Sequence, residues 1–182
     1  MVDPKIEQVV TDEEITHISF NQEQDAFAVG TTNGFWIFSI EPFQMRIRRV
    51  FEGGVRVVQM VGKSNLILLI PTGEDSRYPA NSVLLWDDKR LKHVGVIKFG
   101  EDALSVTFAS DMFMVSQSSV LTCLTMKDVA VFSKIETCHN PRGLQAVSYG
   151  NDFCIATPHK EPGKLQLTWL SRLDQSGCSE LS

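Results

Sequence analysis

The chain has 182 residues, of which 43% are apolar and 21% charged, and its 17 basic against 22 acidic side chains give a formal net charge of −5. This is ordinary globular chemistry, and it argues against wholesale disorder, a collagen-like rod and a membrane-embedded chain. Proteins that coat duplex nucleic acid are as a rule basic, so no nucleic-acid partner is expected.

The first segment, residues 1–14, holds Asp12-Glu13-Glu14 and has neither a positive start nor an apolar core. It does not read as a secretory signal. The longest strongly apolar run, Leu66 to Ile70, is far too short to span a bilayer. The expected setting is cytoplasmic, with any membrane contact peripheral.

From residue 15 the chain reads as strands. Apolar residues alternate or come in short blocks rich in β-branched and aromatic types, and turn residues interrupt them. Phe35-Trp36-Ile37-Phe38, Val83-Leu84-Leu85-Trp86 and Phe113-Met114-Val115 are examples. The blocks repeat. First blocks begin at Ile15, Val55, Ala103 and Leu144; second blocks follow at Ala26, Leu66, Met112 and Phe153, and third blocks at Gly34, Ser82, Ser119 and Lys164. A fourth block closes the first three units, at Arg48 to Phe51, Val94 to Phe99 and Val129 to Ile135.

A period of about 40–45 residues with four strands predicts propeller blades. The fold class is therefore all-β: an incomplete β-propeller with three full blades and most of a fourth. The blades are expected at about 15–51, 55–99, 103–136 and 144–170, with 171–182 a polar tail outside the pattern. The longer second unit owes its length to the Pro/Gly/Asp-rich loop Pro71 to Asn81, since a blade ladder cannot absorb an insertion. An open arc leaves an apolar face bare at each end. The pattern is thus expected to be part of a ring: a truncated product, an incomplete gene model or half of an oligomeric propeller.

Chemistry-bearing motifs are scarce. There is no G-x-S-x-G, H-E-x-x-H, Walker loop or G-x-G-x-x-G. The four histidines, His17, His93, His139 and His159, lack metal-ligand spacing, and His17 reads as a hydrogen-bonded strand residue. Four cysteines, at 123, 138, 154 and 178, form no C-x-x-C pair and read as reduced structural thiols. No cofactor, metal or catalytic residue is assigned. Asp87-Asp88 fits a turn that accepts backbone N–H groups better than a cation site. Arg46, Arg48 and Arg49 fit a charged blade edge or a contact with acidic lipid or a partner. Asn140-Pro141-Arg142-Gly143 reads as a connector between blades.

The run from Phe20 to Phe38 resembles the first blade of the PROPPIN family, the WIPI-type WD-repeat propellers. Further matches follow in order: Glu41-Pro42-Phe43, Phe51-Glu-Gly-Gly54, Tyr78-Pro-Ala-Asn81 leading to Leu85-Trp-Asp-Asp88, Glu136-Thr-Cys-His-Asn-Pro-Arg-Gly-Leu144, and Gly163-Lys-Leu-Gln-Leu167. The resemblance covers about residues 15 to 170. It implies a seven-bladed, non-enzymatic scaffold recruited to phosphatidylinositol 3-phosphate or the 3,5-bisphosphate, acting in autophagosome formation and endolysosomal traffic. The family's lipid sites centre on a Phe/Leu-Arg-Arg-Gly motif, whose two arginines each neutralise a phosphorylated headgroup. That motif is absent here: Ile47-Arg48-Arg49-Val50 lacks the glycine and lies in the first blade. No lipid-binding residue is therefore assigned, and phosphoinositide membranes are expected as partners of a full-length parent.

The resemblance places protein partners, including the lipid-transfer autophagy protein, on the early blades. The loop from Pro71 to Asn81 is the candidate partner site, with Arg77, Tyr78, Pro79 and Asn81 as its residues; arginine and tyrosine are favoured at binding hot spots. The competing reading is a protein-interaction module that binds no lipid.

Overall fold

The computed structural model describes residues 13–73, 77–148 and 152–171. The predicted N-terminal segment up to residue 12 and the tail from residue 172 lie outside the described residues.

Among the described residues fifteen strands form four antiparallel sheets, each in simple sequence order. The first sheet holds β1 (Ile15–Phe20), β2 (Ala26–Thr31), β3 (Gly34–Ser39) and β4 (Gln44–Val50). The second holds β5 (Val55–Met60), β6 (Leu66–Pro71), β7 (Ser82–Asp87) and β8 (Lys92–Lys98). The third holds β9 (Ser105–Ala109), β10 (Met112–Ser116), β11 (Val120–Thr125) and β12 (Val131–Glu136). The fourth has three strands, β13 (Ala146–Val147), β14 (Asp152–Pro158) and β15 (Leu165–Ser171). The architecture is an incomplete β-propeller, and no described element is a helix long and apolar enough to cross a membrane.

The burial pattern explains the sequence pattern. Middle strands are covered on both faces by neighbouring blades, so β10 is buried along its whole length and β3 along all but its last residue. Such strands read as continuous apolar blocks. The outer strand β8 alternates exposed and half-buried positions from end to end. Ala28, Phe35 and Ile37 of the first blade pack on Ile67, Leu69 and Trp86 of the second. Leu68, Ile70 and Val83 then pack on Val106, Phe113 and Val115 of the third. Met114, Leu121 and Cys123 pack on Ile155 of the fourth.

A register shift recurs where the third strand meets the fourth, between Ile37 and Phe38, Leu85 and Trp86, and Cys123 and Leu124. Bulges at equivalent places sharpen the twist that each blade needs. The first strands of successive blades lie side by side and are stitched by side-chain hydroxyls. Thr16 donates to the Val55 carbonyl, Ser19 to that of Val58 at 2.6 Å, and Ser105 to that of Gly143 at 2.6 Å. Gln22 reaches across three blades: its Nε2 donates to the carbonyls of Met60 (3.3 Å) and Phe108 (3.2 Å), and its Oε1 accepts from Gly62 N–H at 2.7 Å.

Two differences from the sequence pattern have local causes. The strand expected from Leu144 is reduced to Ala146–Val147 because the Asn140 side chain takes both backbone groups of Leu144, donating at 3.1 Å and accepting at 2.9 Å. Likewise β9 starts at Ser105 rather than Ala103, because Ala103 N–H donates to the Ala80 carbonyl at 3.1 Å.

Candidate functional site

Pro71, Arg77 and Tyr78 of the expected partner loop line a cleft of about 270 Å³ between the first two blades. One wall is the connection from β4 to β5, Phe51-Glu52-Gly53-Gly54. The other is built from Leu69, Pro71, Leu84 and His93, and Arg77 and Tyr78 form the lip. The walls approach closely because glycine allows it: a Cβ on Gly54 would come within 2.8 Å of the Thr72 side chain. Gly73 turns the loop with φ +87°, a region that L side chains rarely adopt.

A chain of rings runs from the interblade core to this mouth. Phe35 meets Phe51 at 5.7 Å, Phe51 meets Trp86 at 5.0 Å, Trp86 meets His93 at 5.0 Å, and His93 meets Tyr78 at 5.1 Å. The Arg77 guanidinium ends the chain, 5.9 Å from the centre of the Tyr78 ring. Glu52 and Arg77 are the oppositely charged groups among the lining residues. Burial, and then the positive charge of Arg77, hold His93 below its ordinary value of 6.5. The cleft therefore offers an apolar, aromatic lining with one cation and one anion at its edge.

The predicted site residues divide. Arg77 and Tyr78 meet at the cleft. Pro79 and Asn81 serve the loop's return: the Pro79 carbonyl accepts from Ser82 N–H at 3.1 Å, and Asn81 Nδ2 donates to the Phe99 carbonyl at 2.8 Å. His93 was not singled out as a site residue by its sequence. In β8 the period of two places it with half-buried Ile97 rather than exposed Val94 and Val96, the reverse of the face that the two valines suggest in the sequence.

The arginines of β4 are engaged within the protein. Arg48 pairs with Glu13 at 2.6 Å and lies over Trp36 at 5.9 Å. Arg49 grips Asp88 through two nitrogens. Asp87 Oδ1 accepts from Lys89 and Arg90 N–H, both at 3.0 Å, which is the turn expected of this pair. Among the described residues no group of three His, Cys, Asp or Glu side chains could hold a metal ion. His17 is a strand residue whose Nδ1 accepts from Val58 N–H at 3.4 Å.

No family model matches the chain. A protein named SVP1-like protein 2 from Neurospora crassa is 32% identical over 154 residues, covering 84% of this chain and 35% of that protein. Autophagy-related protein 18e of Arabidopsis thaliana is 29% identical, covering 88% of this chain and 44% of its own length. The chain belongs to the PROPPIN family. It spans about a third to a half of the length of these relatives. The Hsv2 propeller of Kluyveromyces lactis superposes with a TM-score of 0.72 at 16% identity, over 88% of this chain and 47% of that one. A solved complex of Atg21 with the coiled coil of Atg16 gives 0.65 at 17% identity, over 87% of this chain and 53% of that one. These superpositions show the PROPPIN propeller fold, and the family is non-enzymatic.

Proposed function

We propose that this chain is the partner-binding portion of a PROPPIN scaffold acting in autophagosome formation and endolysosomal traffic. A protein segment docks in the cleft between the first two blades under Arg77 and Tyr78. The observation that carries the reading is the convergence of Arg77, Tyr78 and an aromatic-lined cleft on one loop. The family supplies the biological setting: its members include proteins named autophagy-related, and the Atg21 structure carries a coiled-coil protein partner. The partner expected here is the lipid-transfer autophagy protein of the family resemblance. Recruitment to phosphatidylinositol 3-phosphate or 3,5-bisphosphate membranes, from the cytoplasm and at the membrane periphery, belongs to a parent bearing the Phe/Leu-Arg-Arg-Gly motif.

One observation favours the second reading, a lipid-independent interaction module, for these 182 residues. The arginines of Ile47-Arg48-Arg49-Val50 already pair with Glu13 and Asp88, and the sequence holds no Phe/Leu-Arg-Arg-Gly motif. Two assays separate the readings. Binding of the lipid-transfer partner is expected to fall at least tenfold in Arg77→Glu and Tyr78→Ala, and undiminished binding would sink the cleft assignment. Flotation of the chain on phosphatidylinositol 3-phosphate vesicles is expected to fail, and flotation would return a lipid site to these blades.

A further inference from the structure

His93 sits among three aromatic rings, with Phe51 at 5.9 Å, Tyr78 at 5.1 Å and Trp86 at 5.0 Å. Its Nδ1 is buried, with no hydrogen-bond partner among the described residues. The side chain thus lines the cleft whose lip is Arg77 and Tyr78. The charged groups around it come from every packed element. The loop brings Arg77, and the β4–β5 connection brings Glu52. The end of β7 brings Asp87, held by Arg90, and Asp88, held by Arg49 and by the Trp86 indole N–H. On β8 itself Lys92 is exposed. Of these, Glu52 and Arg77 line the cleft itself.

We propose that His93 is a protonation switch for this cleft. A neutral imidazole lets the Arg77–Tyr78 lip rest against it. An imidazolium brings a second cation against Arg77 in a partly desolvated space, where like charges repel strongly, and it drives the lip outward. Attraction between imidazolium and the rings opposes this, but the buried Nδ1 has no acceptor among the described residues for the proton it would carry, and burial and Arg77 add to the preference for the neutral ring. The closed lip therefore prefers the neutral ring. As pH falls through 6.5, an open form with ordinary proton affinity takes up the proton first, and the equilibrium moves toward it. The closed cleft is complete above that window and lost below it.

As regulation of docking, this rests on the cleft being the partner site. The switch itself does not, so it is read on the free chain. An NMR titration from pH 8 to pH 5 would follow the His93 imidazole and the Tyr78 ring. His93 is expected to titrate below 6.5, with the Tyr78 ring shifting at the same midpoint. Arg77→Gln, a change at an exposed position, is expected to raise both midpoints, and His93→Gln to abolish the Tyr78 transition. A Tyr78 ring that stays still while His93 titrates overturns the proposal. So does a His93 midpoint indifferent to Arg77→Gln, which carries the test alone if His93→Gln fails to fold. Loss of the partner assay with an intact titration would remove the docking reading and leave the switch standing.

Discussion

Arg49 on the outer strand of the first blade holds both carboxylate oxygens of Asp88 on the second, Nε to Oδ1 at 2.7 Å and Nη2 to Oδ2 at 2.9 Å. The same Oδ1 accepts the indole N–H of Trp86 at 3.2 Å. The pair fastens the blades at their rim, as Gln22 fastens them at the inner strands. It is bidentate and largely shielded from water, with side-chain exposures of 30% and 14%, so it is stronger than a typical surface ion pair.

Breaking this clamp is expected to cost stability unequally. Arg49→Ala should cost about 1–2 kcal/mol. Asp88→Ala should cost more, because it also strands the Trp86 N–H. A double-mutant cycle in denaturant would give a coupling of about 1–2 kcal/mol. Additive single effects would show that the rim contact contributes nothing beyond its separate side chains.

Gln22 makes a sharper test, because its donor and acceptor ends are both used. Gln22→Ala removes three bonds and is expected to cost about 1–3 kcal/mol. Gln22→Glu keeps the shape and the acceptor but sets a carboxylate oxygen against the Met60 and Phe108 carbonyls. It should unfold at lower denaturant than the alanine variant. The reverse order would mean that the side chain acts by filling space.

Much of the architecture was legible, and the residues show why. The strands repeat at propeller spacing, and middle strands such as Leu66-Ile-Leu-Leu-Ile70 are uniformly apolar because neighbouring blades cover both of their faces. The rim of the site was half legible. Arg77 and Tyr78 stood out by residue type on a long loop, whereas the cleft beneath them depends on Phe51 and His93, separated by a whole blade in sequence. Arg49 read as a charged edge or a partner contact, but its carboxylate lies 39 residues away on another sheet. Side-chain bonds of that range leave no periodic trace, and neither does the use of Leu144 by Asn140 that shortens β13.

His17 predicts a pH dependence with a definite sign. Burial holds it below 6.5 in the folded chain, against a smaller opposing effect of the backbone hydrogen bond with Val58. The unfolded chain takes up the proton near 6.5 while the folded chain resists. Stability is therefore complete above that value and declines as pH falls below it, down to the depressed folded value. The melting temperature should drop between pH 7.5 and pH 5.5, and drop less in His17→Gln. Equal drops in both would assign the effect elsewhere. The depressed Asp25 and Asp128 act in a separate, more acidic window.

Cys123 should be chemically silent. It is fully buried against Met114 and Leu121, and burial pushes its thiol up to about 12, so almost no thiolate forms near neutrality. Alkylation of the native chain, mapped by mass spectrometry, should mark half-buried Cys138 and Cys154 well before Cys123. Denaturant should abolish the difference. Early labelling of Cys123 would mean that the interface between the third and fourth blades opens readily.

The fourth blade predicts self-association of the 182-residue chain. Across β14 and β15, Pro158 faces Leu165, Ala156 faces Leu167 and Cys154 faces Trp169. The period of two gathers these side chains on one side of the sheet, and Leu170 falls on the other, packed against the third blade. Leu165, Leu167 and Trp169 are 68%, 56% and 69% exposed, a contiguous apolar surface of the kind that drives association. Light scattering after size exclusion should show a mass that rises with concentration. Burial of one large apolar side chain contributes about 1.5–3 kcal/mol, or roughly tenfold or more in a dissociation constant. Leu167→Lys and Trp169→Lys should each weaken association by that factor without moving the denaturation midpoint, since neither side chain joins the folded core. A monomer at every concentration, or association indifferent to both changes, would show that this face does not drive contact between copies.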